Sequence, residues 1–196
     1  MARPQSPDYD KRREAILRAA ARLFAGQGFN GASVADLAKA CESSKSLVYH
    51  YFPSKEDILH QVMVAHLDTL VAAAVEATST GPPEAKLRAL THAFMRLYVG
   101  ARDDHKVLLN ELDNLAPAAR TEVVGKQRRI IAIVERLIAE LRPNAGALAL
   151  PLAMLFFGMI NWTHTWFDAE GRVSAEDLAD RVVELMLGGL GAVQAS

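Results

Sequence analysis

The feature that most constrains this chain is the spacing of its apolar residues, which repeats with the period of an α-helix along almost the whole sequence. In the first such segment, apolar side chains at positions 16, 19, 20, 23 and 24 fall on one helix face. No stretch alternates apolar and polar residues for long enough to predict a β-strand. The sequence therefore predicts an all-α protein.

Proline, glycine and N-capping residues divide the helical pattern into nine segments. Three short helices before residue 53 predict a compact N-terminal domain. Six longer segments, at about 54–79, 84–102, 105–115, 117–142, 145–168 and 174–192, predict a helical bundle. We therefore expect one domain over 1–53, in which residues 1–7 form a flexible arm, and a second over 54–196.

The composition is that of a protein with a well-packed core. Hydrophobic residues make up 51% of the 196 residues and charged residues 23%, which argues against a disordered chain. The single cysteine, Cys41, excludes an internal disulfide, and no apolar run follows the charged N-terminus as in a signal peptide. We expect a cytoplasmic protein.

Enzyme motifs are absent from the sequence. The six histidines form no HExxH motif, and neither a glycine-rich phosphate loop nor a GxSxG nucleophile motif occurs. We expect no catalytic residue, no metal site and no cofactor. An all-helical enzyme or a protein-interaction module without DNA binding stands as the alternative class.

The uncharged run from Ala145 to Trp162 raises the question of a membrane span. About 20 apolar residues are needed to cross a bilayer, and this run is shorter and contains Pro151. Acidic rather than basic residues follow it, against the usual flanking charge. We expect a buried helix and no membrane contact.

The segment from Ser33 to Phe52 has the pattern of a helix-turn-helix. Ser33 followed by Asp36 predicts a capping box, and Ala38 is small enough for two helices that cross steeply. In such a motif the second helix enters the major groove of DNA. Its predicted exposed residues are hydrogen-bonding types: Lys45, Ser46, Tyr49 and His50. By spacing alone, the segment also fits two short amphipathic helices without a DNA role.

Ordered motifs between Arg12 and Met63 resemble the N-terminal domain of TetR-family regulators. They are Ile16–Ala20, Leu23-Phe24, Gly28-Phe29, Ser33–Ala38, Ser44-Lys45, Tyr49–Phe52 and Ser54–Glu56. The resemblance implies DNA contacts from Ser33, Lys45, Ser46, Tyr49, His50 and Lys55. It also implies a homodimer formed by the last two helices and a repressor that a small effector releases from a palindromic operator. Family members usually have Gly and an apolar residue where this chain has Glu42-Ser43. A non-glycine residue in a left-handed turn costs about 1 kcal/mol, which the motif tolerates, so the resemblance leaves the geometry of this turn open.

Aromatic and polar residues of the second domain are candidates for an effector pocket. They are His92, Phe94, Tyr98, Asn110, Phe157, Asn161, Trp162 and Trp166. The two tryptophans fit a dimer interface equally well. A shorter resemblance, over 161–171 and 110–112, is to TetR-type regulators of fatty-acid, sterol or phenylacetate breakdown, and it implies an acyl-CoA effector. The basic residues Lys126, Arg128 and Arg129, or Arg88 and Arg96, are candidates for the CoA phosphates or simply solvated helix faces.

Overall fold

A computed structural model describes residues 7–192, and this part of the chain contains helices and no β-strand. Its helices are α1 (Pro7–Gln27), α2 (Val34–Ala40), α3 (Lys45–Tyr51), α4 (Lys55–Ala77), α5 (Pro83–Gly100), α6 (Arg102–Asn110), α7 (Pro117–Leu141), α8 (Ala149–Asn161), α9 (Thr163–Trp166) and α10 (Ala175–Ala192). Residues 1–6, most of the predicted arm, lie outside the described residues.

The described residues follow the predicted nine-helix plan. Only Trp162 separates α8 from α9, and its backbone is itself helical, so the two form one interrupted helix. Two 3₁₀ segments, Leu112–Asn114 and Pro143–Leu148, replace the predicted end of one helix and the start of another. The all-α prediction is confirmed.

The start of α6 differs from the prediction. The pair Asp103-Asp104, taken from the sequence as a break between helices, instead lies in the first turn of α6. Acidic side chains are favourable there because the first turn carries the positive end of the helix dipole. The helix therefore begins three residues earlier than predicted, at Arg102.

The chain divides into two compact units, and the first comprises residues 1–66 and 103–123. Its core contains Ile16, Phe24, Leu37, Val48, Phe52, Leu59, Met63, Val107 and Val123. The segment with α6 thus lies in the same compact unit as the helix-turn-helix. The division of function at residue 53 stays a prediction.

The second unit comprises residues 67–102 and 124–196. Here α10 packs along α5 and also against α8. Its core contains Leu87, Leu90, Phe94, Val134, Ile138, Ala153, Phe156, Ile160 and Val183. At its surface, the Lys86 ammonium donates to the Glu140 carboxylate at 2.8 Å.

Two helical stretches of the described chain have the length and hydropathy of membrane-crossing helices, Lys55–Ala77 and Pro143–Trp166. Half of the apolar window in the first is buried within the protein, as in the core helix of a globular domain. In the second only 33% is buried, which leaves much apolar surface exposed. This second stretch contains α8, which the sequence predicts at an interface.

Candidate nucleic-acid interface

The N-terminus of α2 is fixed by a capping box. The Ser33 hydroxyl accepts the Asp36 amide at 3.2 Å, and the Asp36 carboxylate accepts the Ser33 amide at 3.1 Å. The side-chain hydrogen bond from Ser33, at 2.5 Å, is the main cause that lowers the pKa of Asp36. Both residues are exposed, and the DNA contact predicted for Ser33 stays a prediction.

The turn between α2 and α3 is a Schellman motif with a glutamate in the glycine position. The Ser43 amide donates to the Ala38 carbonyl at 2.9 Å and the Glu42 amide to the Lys39 carbonyl at 3.1 Å. Glu42 has φ 49°, and it is the one non-glycine residue with positive φ in the described part of the chain. The turn is therefore left-handed, with glutamate in place of the usual glycine. This geometry also explains the family pattern, because Gly lacks the Cβ that disfavours this backbone conformation.

Helix α3 presents a polar face. The Ser44 hydroxyl caps it by accepting the Leu47 amide at 3.2 Å, and Val48 is its fully buried residue. The structure brings the four predicted α3 residues to the surface: Lys45, Ser46, Tyr49 and His50 are all exposed. They supply hydroxyl, ammonium and imidazole groups, which bind phosphates and base edges.

Lys55 lies at the start of α4 and makes contacts within the protein. Its ammonium donates to the carbonyls of Phe29 at 2.8 Å and Ala32 at 3.0 Å, and it lies 4.1 Å from the centre of the Phe29 ring. The side chain therefore ties the loop between α1 and α2 to α4. This anchoring role was not evident from the sequence, whereas the predicted phosphate contact stays a prediction.

A basic groove runs between α1 and the turn before α3, a feature that the sequence analysis missed. Its volume is about 1130 Å³, and four of its lining residues are cations: Lys11, Arg12, Arg18 and Arg22. Asp8 and Glu42 are the acids in its lining. The spacing of residues 11, 18 and 22 places three of the cations on one helix face, which was the available signal.

Two family models match this chain, one in its N-terminal part and one in its C-terminal part. Residues 16–62 match the model described as "Bacterial regulatory proteins, tetR family". Residues 80–190, more than half of the chain, match the model "Tetracyclin repressor-like, C-terminal domain". The chain belongs to the TetR family. Proteins of this family are DNA-binding transcriptional regulators, not enzymes.

Relatives of this TetR-family regulator span nearly its full length. The transcriptional repressor KstR2 of Mycolicibacterium smegmatis is 26% identical over 201 residues, 95% of each chain. A TetR-family regulator from Bordetella parapertussis is 40% identical with a TM-score of 0.87, covering 94% of this chain and 98% of that one. AibR, in a structure with isovaleryl coenzyme A and operator DNA, is 26% identical in sequence with a TM-score of 0.80. The match covers 89% of this chain and 97% of the AibR chain.

Three of the predicted pocket residues of this TetR-family regulator meet in the interior of the second unit. The ring of Phe94 lies 5.8 Å from that of Tyr98 and 6.4 Å from that of Phe157, and all three side chains are buried. Burial raises the pKa of the Tyr98 hydroxyl, which keeps it neutral. Asn161 is half-buried, and its Oδ1 has no hydrogen-bond partner in the described part of the chain.

The other predicted pocket residues lie elsewhere. Trp162 is 64% exposed and Trp166 56% exposed, so most of each side chain lies on the protein surface. Asn110 is exposed in the first unit and donates to the Lys106 carbonyl of its own helix at 2.8 Å. Trp162 and Trp166 therefore lie at the surface of the second unit and not among its buried aromatic residues. The contact of Asn110 and both tryptophans with an effector stays a prediction.

His92 joins α5 to α10 through an acid that the sequence analysis did not single out. Its imidazole is 2.9 Å from the Asp180 carboxylate, which also accepts a hydrogen bond from Arg88. The hydrogen bond with His92 is the main cause that lowers the pKa of Asp180. A lowered pKa favours the charged carboxylate. The sequence could not predict this contact, because His92 and Asp180 are 88 residues apart and share no local pattern.

The surface of α8 carries an apolar stripe. Its exposed members lie on one helix face that continues into α9: Leu150, Met154, Leu155, Trp162 and Trp166. On α10, Leu185 is 67% exposed, whereas Val182 and Met186 are buried within the protomer. Val182 and Met186 pack into the core of their own chain, so Leu185 is the one of these three α10 residues that lies at the surface.

Proposed function

We propose that this TetR-family protein is a cytoplasmic, ligand-responsive repressor that binds a palindromic operator as a homodimer and is released by a small effector. The observation that carries the proposal is the polar face of α3, which offers Lys45, Ser46, Tyr49 and His50 to solvent. A seven-residue helix with one buried and one polar face matches the geometry by which a recognition helix enters a major groove. KstR2, a relative over 95% of the chain, is named a repressor.

The DNA-binding part of the proposal is tested by gel shifts on the DNA that flanks the protein's own gene. Lys45→Ala is expected to weaken binding by about tenfold, since a good side-chain contact to a base pair contributes about 1–3 kcal/mol. Lys106→Ala is the matched control, because Lys106 is an exposed lysine on α6. Equal affinity of both variants with the wild type would remove Lys45 from the interface.

We infer that dimers form through α8 and α10. Exposed apolar patches of this kind mark protein–protein contact sites in soluble proteins. Leu155 on α8 is 64% exposed, and exposed Gly188 and Gly189 on α10 allow close approach of a second backbone. Two copies would place two recognition helices on one operator, which a single copy could bind only at one half-site.

Leu155→Glu tests this interface. A charge at the centre of a buried apolar contact is costly, so we expect the variant to sediment as a monomer. Val75→Glu is the matched control, because Val75 is an exposed apolar residue of α4, 46% exposed, and should leave the dimer intact. A dimeric Leu155→Glu protein, or a monomeric wild type, would contradict the proposed interface.

We propose an acyl-CoA thioester as the effector. AibR, similar over 97% of its chain, was crystallised with isovaleryl coenzyme A and operator DNA. In this chain the buried rings of Phe94, Tyr98 and Phe157 offer apolar contact, and the side-chain oxygen of Asn161 has no hydrogen-bond partner among the described residues. A buried polar atom without a partner is costly, and a bound ligand would relieve that cost.

Release of operator DNA in gel shifts distinguishes the effector classes. The probes are isovaleryl-CoA, free CoA and isovaleric acid, each titrated into the protein–DNA complex. We expect release with the thioester alone, and Asn161→Leu is expected to weaken the response while operator affinity is kept. Release by the free acid with no response to thioesters would overturn the acyl-CoA assignment.

A further inference from the structure

A tyrosine near the start of α1 packs onto the DNA-facing helix. The Tyr9 ring lies 4.6 Å from the Tyr51 ring at an interplanar angle of 36°, and 6.3 Å from the His50 ring at 79°. His50 and Tyr51 are themselves in edge contact at 5.4 Å. Tyr9 is half-buried, whereas His50 is exposed. We call these three residues the Tyr9 cluster.

The Tyr9 ring contacts the last turn of α3, where few hydrogen bonds of the helix itself hold the side chains in place. A helix of seven residues has little intrinsic stability, and His50 and Tyr51 lie in its last turn. Val48 is buried and lies nearly opposite His50 around α3, so the packing of Val48 into the core does not fix the His50 ring. The Tyr9 ring is a fixed neighbour for the exposed side, contributed by a different helix.

Such a contact preorganises a DNA-binding side chain, because it fixes the conformation of the ring before DNA binds. A free histidine ring loses rotamer freedom when it docks on DNA, and that loss weakens binding. Edge and tilted ring contacts are favourable for aromatic pairs and restrict both rings before DNA arrives. The contacts are between rings, so a phenylalanine at position 9 would keep them.

We propose that Tyr9 is a positioning residue for DNA recognition: it orients His50 and Tyr51 in the geometry that α3 uses in the major groove. The first turns of α1 are thereby part of the recognition apparatus without contacting a base. The proposal rests on DNA binding through α3. It adds a residue to which neither the helix-turn-helix pattern nor the family resemblance assigns a role.

Two variants separate positioning from general packing. Tyr9→Leu keeps apolar volume but removes the ring, and Tyr9→Phe keeps the ring and removes the hydroxyl. We expect Tyr9→Leu to weaken operator binding by about three- to tenfold, the range of one aromatic contact, with Tyr9→Phe near the wild type. Affinity is measured by fluorescence anisotropy far below the melting temperature of each variant.

Proton NMR of the free protein gives a readout that is independent of DNA. Tyr9→Leu should shift the His50 ring protons by loss of ring current, and Tyr9→Phe should leave them nearly unchanged. His50 resonances that are identical in the Tyr9→Leu protein would overturn the proposal. If instead the ring shift occurs but the wild type binds no palindromic DNA, it is the proposed function that fails.

A double-mutant cycle completes the test. If Tyr9 acts through the cluster, Tyr9→Leu should cost much less operator affinity in a His50→Ala background than in the wild type. An equal loss in both backgrounds would show that Tyr9 does not act through His50, and would contradict its role in positioning that side chain.

Discussion

At the scale of single residues, Glu42 has the most constrained backbone of the DNA-binding motif. Its φ of 49° is a conformation in which an L side chain is disfavoured, and the Schellman hydrogen bonds around it hold it there. The next residue, Ser43, has a buried hydroxyl oxygen without a partner in the described residues, at the position where an apolar side chain usually packs. The turn is therefore formed at a cost in stability.

Glu42→Gly is expected to stabilise the protein by about 1 kcal/mol, because glycine adopts the left-handed conformation without strain. Urea denaturation measures the change. Glu42→Ala separates the effect of backbone strain from the effect of the carboxylate charge. Alanine removes the charge but keeps the Cβ, so it should give no comparable gain in stability. Lys39→Gly, inside α2, should lose about 1 kcal/mol. A Glu42→Gly protein less stable than the wild type would contradict the strain argument.

Lys55 carries a second prediction at this scale. Its ammonium binds two carbonyls of the loop between α1 and α2, so Lys55→Met should lower stability by about 1–3 kcal/mol, the range for hydrogen bonds to a charged group. If Lys55 also contacts a phosphate, the slope of log affinity against log salt should fall in magnitude by about 0.9 for each bound subunit, or about 1.8 for the proposed dimer. The exposed Lys39→Met is the stability control. Unchanged stability would contradict the anchoring role.

At the scale of helices, a buried histidine pair joins α4 to α6. The His66 Nε2 lies 3.2 Å from the His105 Nδ1, and both side chains are buried. Desolvation lowers the pKa of His66 from 6.5 to about 4. The folded protein therefore holds His66 neutral over a range in which the unfolded chain would protonate it.

The free energy of unfolding should consequently decrease as the pH is lowered from 6.5 to about 4. Neutral His66 makes its full contribution to the free energy of unfolding above pH 6.5. This contribution is lost as the pH falls towards 4, because the unfolded chain then binds a proton at His66 that the folded protein does not bind. The loss amounts to about 3 kcal/mol by the usual conversion of a pKa shift. His66→Gln should flatten the profile of unfolding free energy between these limits. An equally steep profile in that variant would contradict the assignment.

The sequence predicted the helices well where local chemistry decides them. Ser33 is the N-cap that the capping box predicts, and Pro117 begins α7. It failed at Asp103-Asp104, because the same acidic pair suits a loop and a first helical turn. It also left the role of Lys55 incomplete, because contacts with carbonyls 23 and 26 residues away leave no local pattern.

At the scale of the whole chain, two compact units are built from interleaved segments. Residues 103–123 belong with residues 1–66, so α6 is in the unit of the recognition helix although α5 is not. The order of helices could not predict this grouping, since it depends on long-range packing. The apolar stripe of α8 is similar: the sequence shows that this segment is apolar, but which of its residues are exposed depends on how the helices pack, and the structure leaves Leu150, Met154 and Leu155 at the surface.

DNase I footprinting on the DNA flanking the protein's own gene tests the central claim most directly. If α3 is a recognition helix in a symmetric dimer, the protein should protect a palindrome whose half-sites are centred about 10 base pairs, or a multiple of a helical turn, apart. The protection should disappear on addition of the effector. Protection of no specific site at moderate salt, with only sequence-independent binding, would contradict the account.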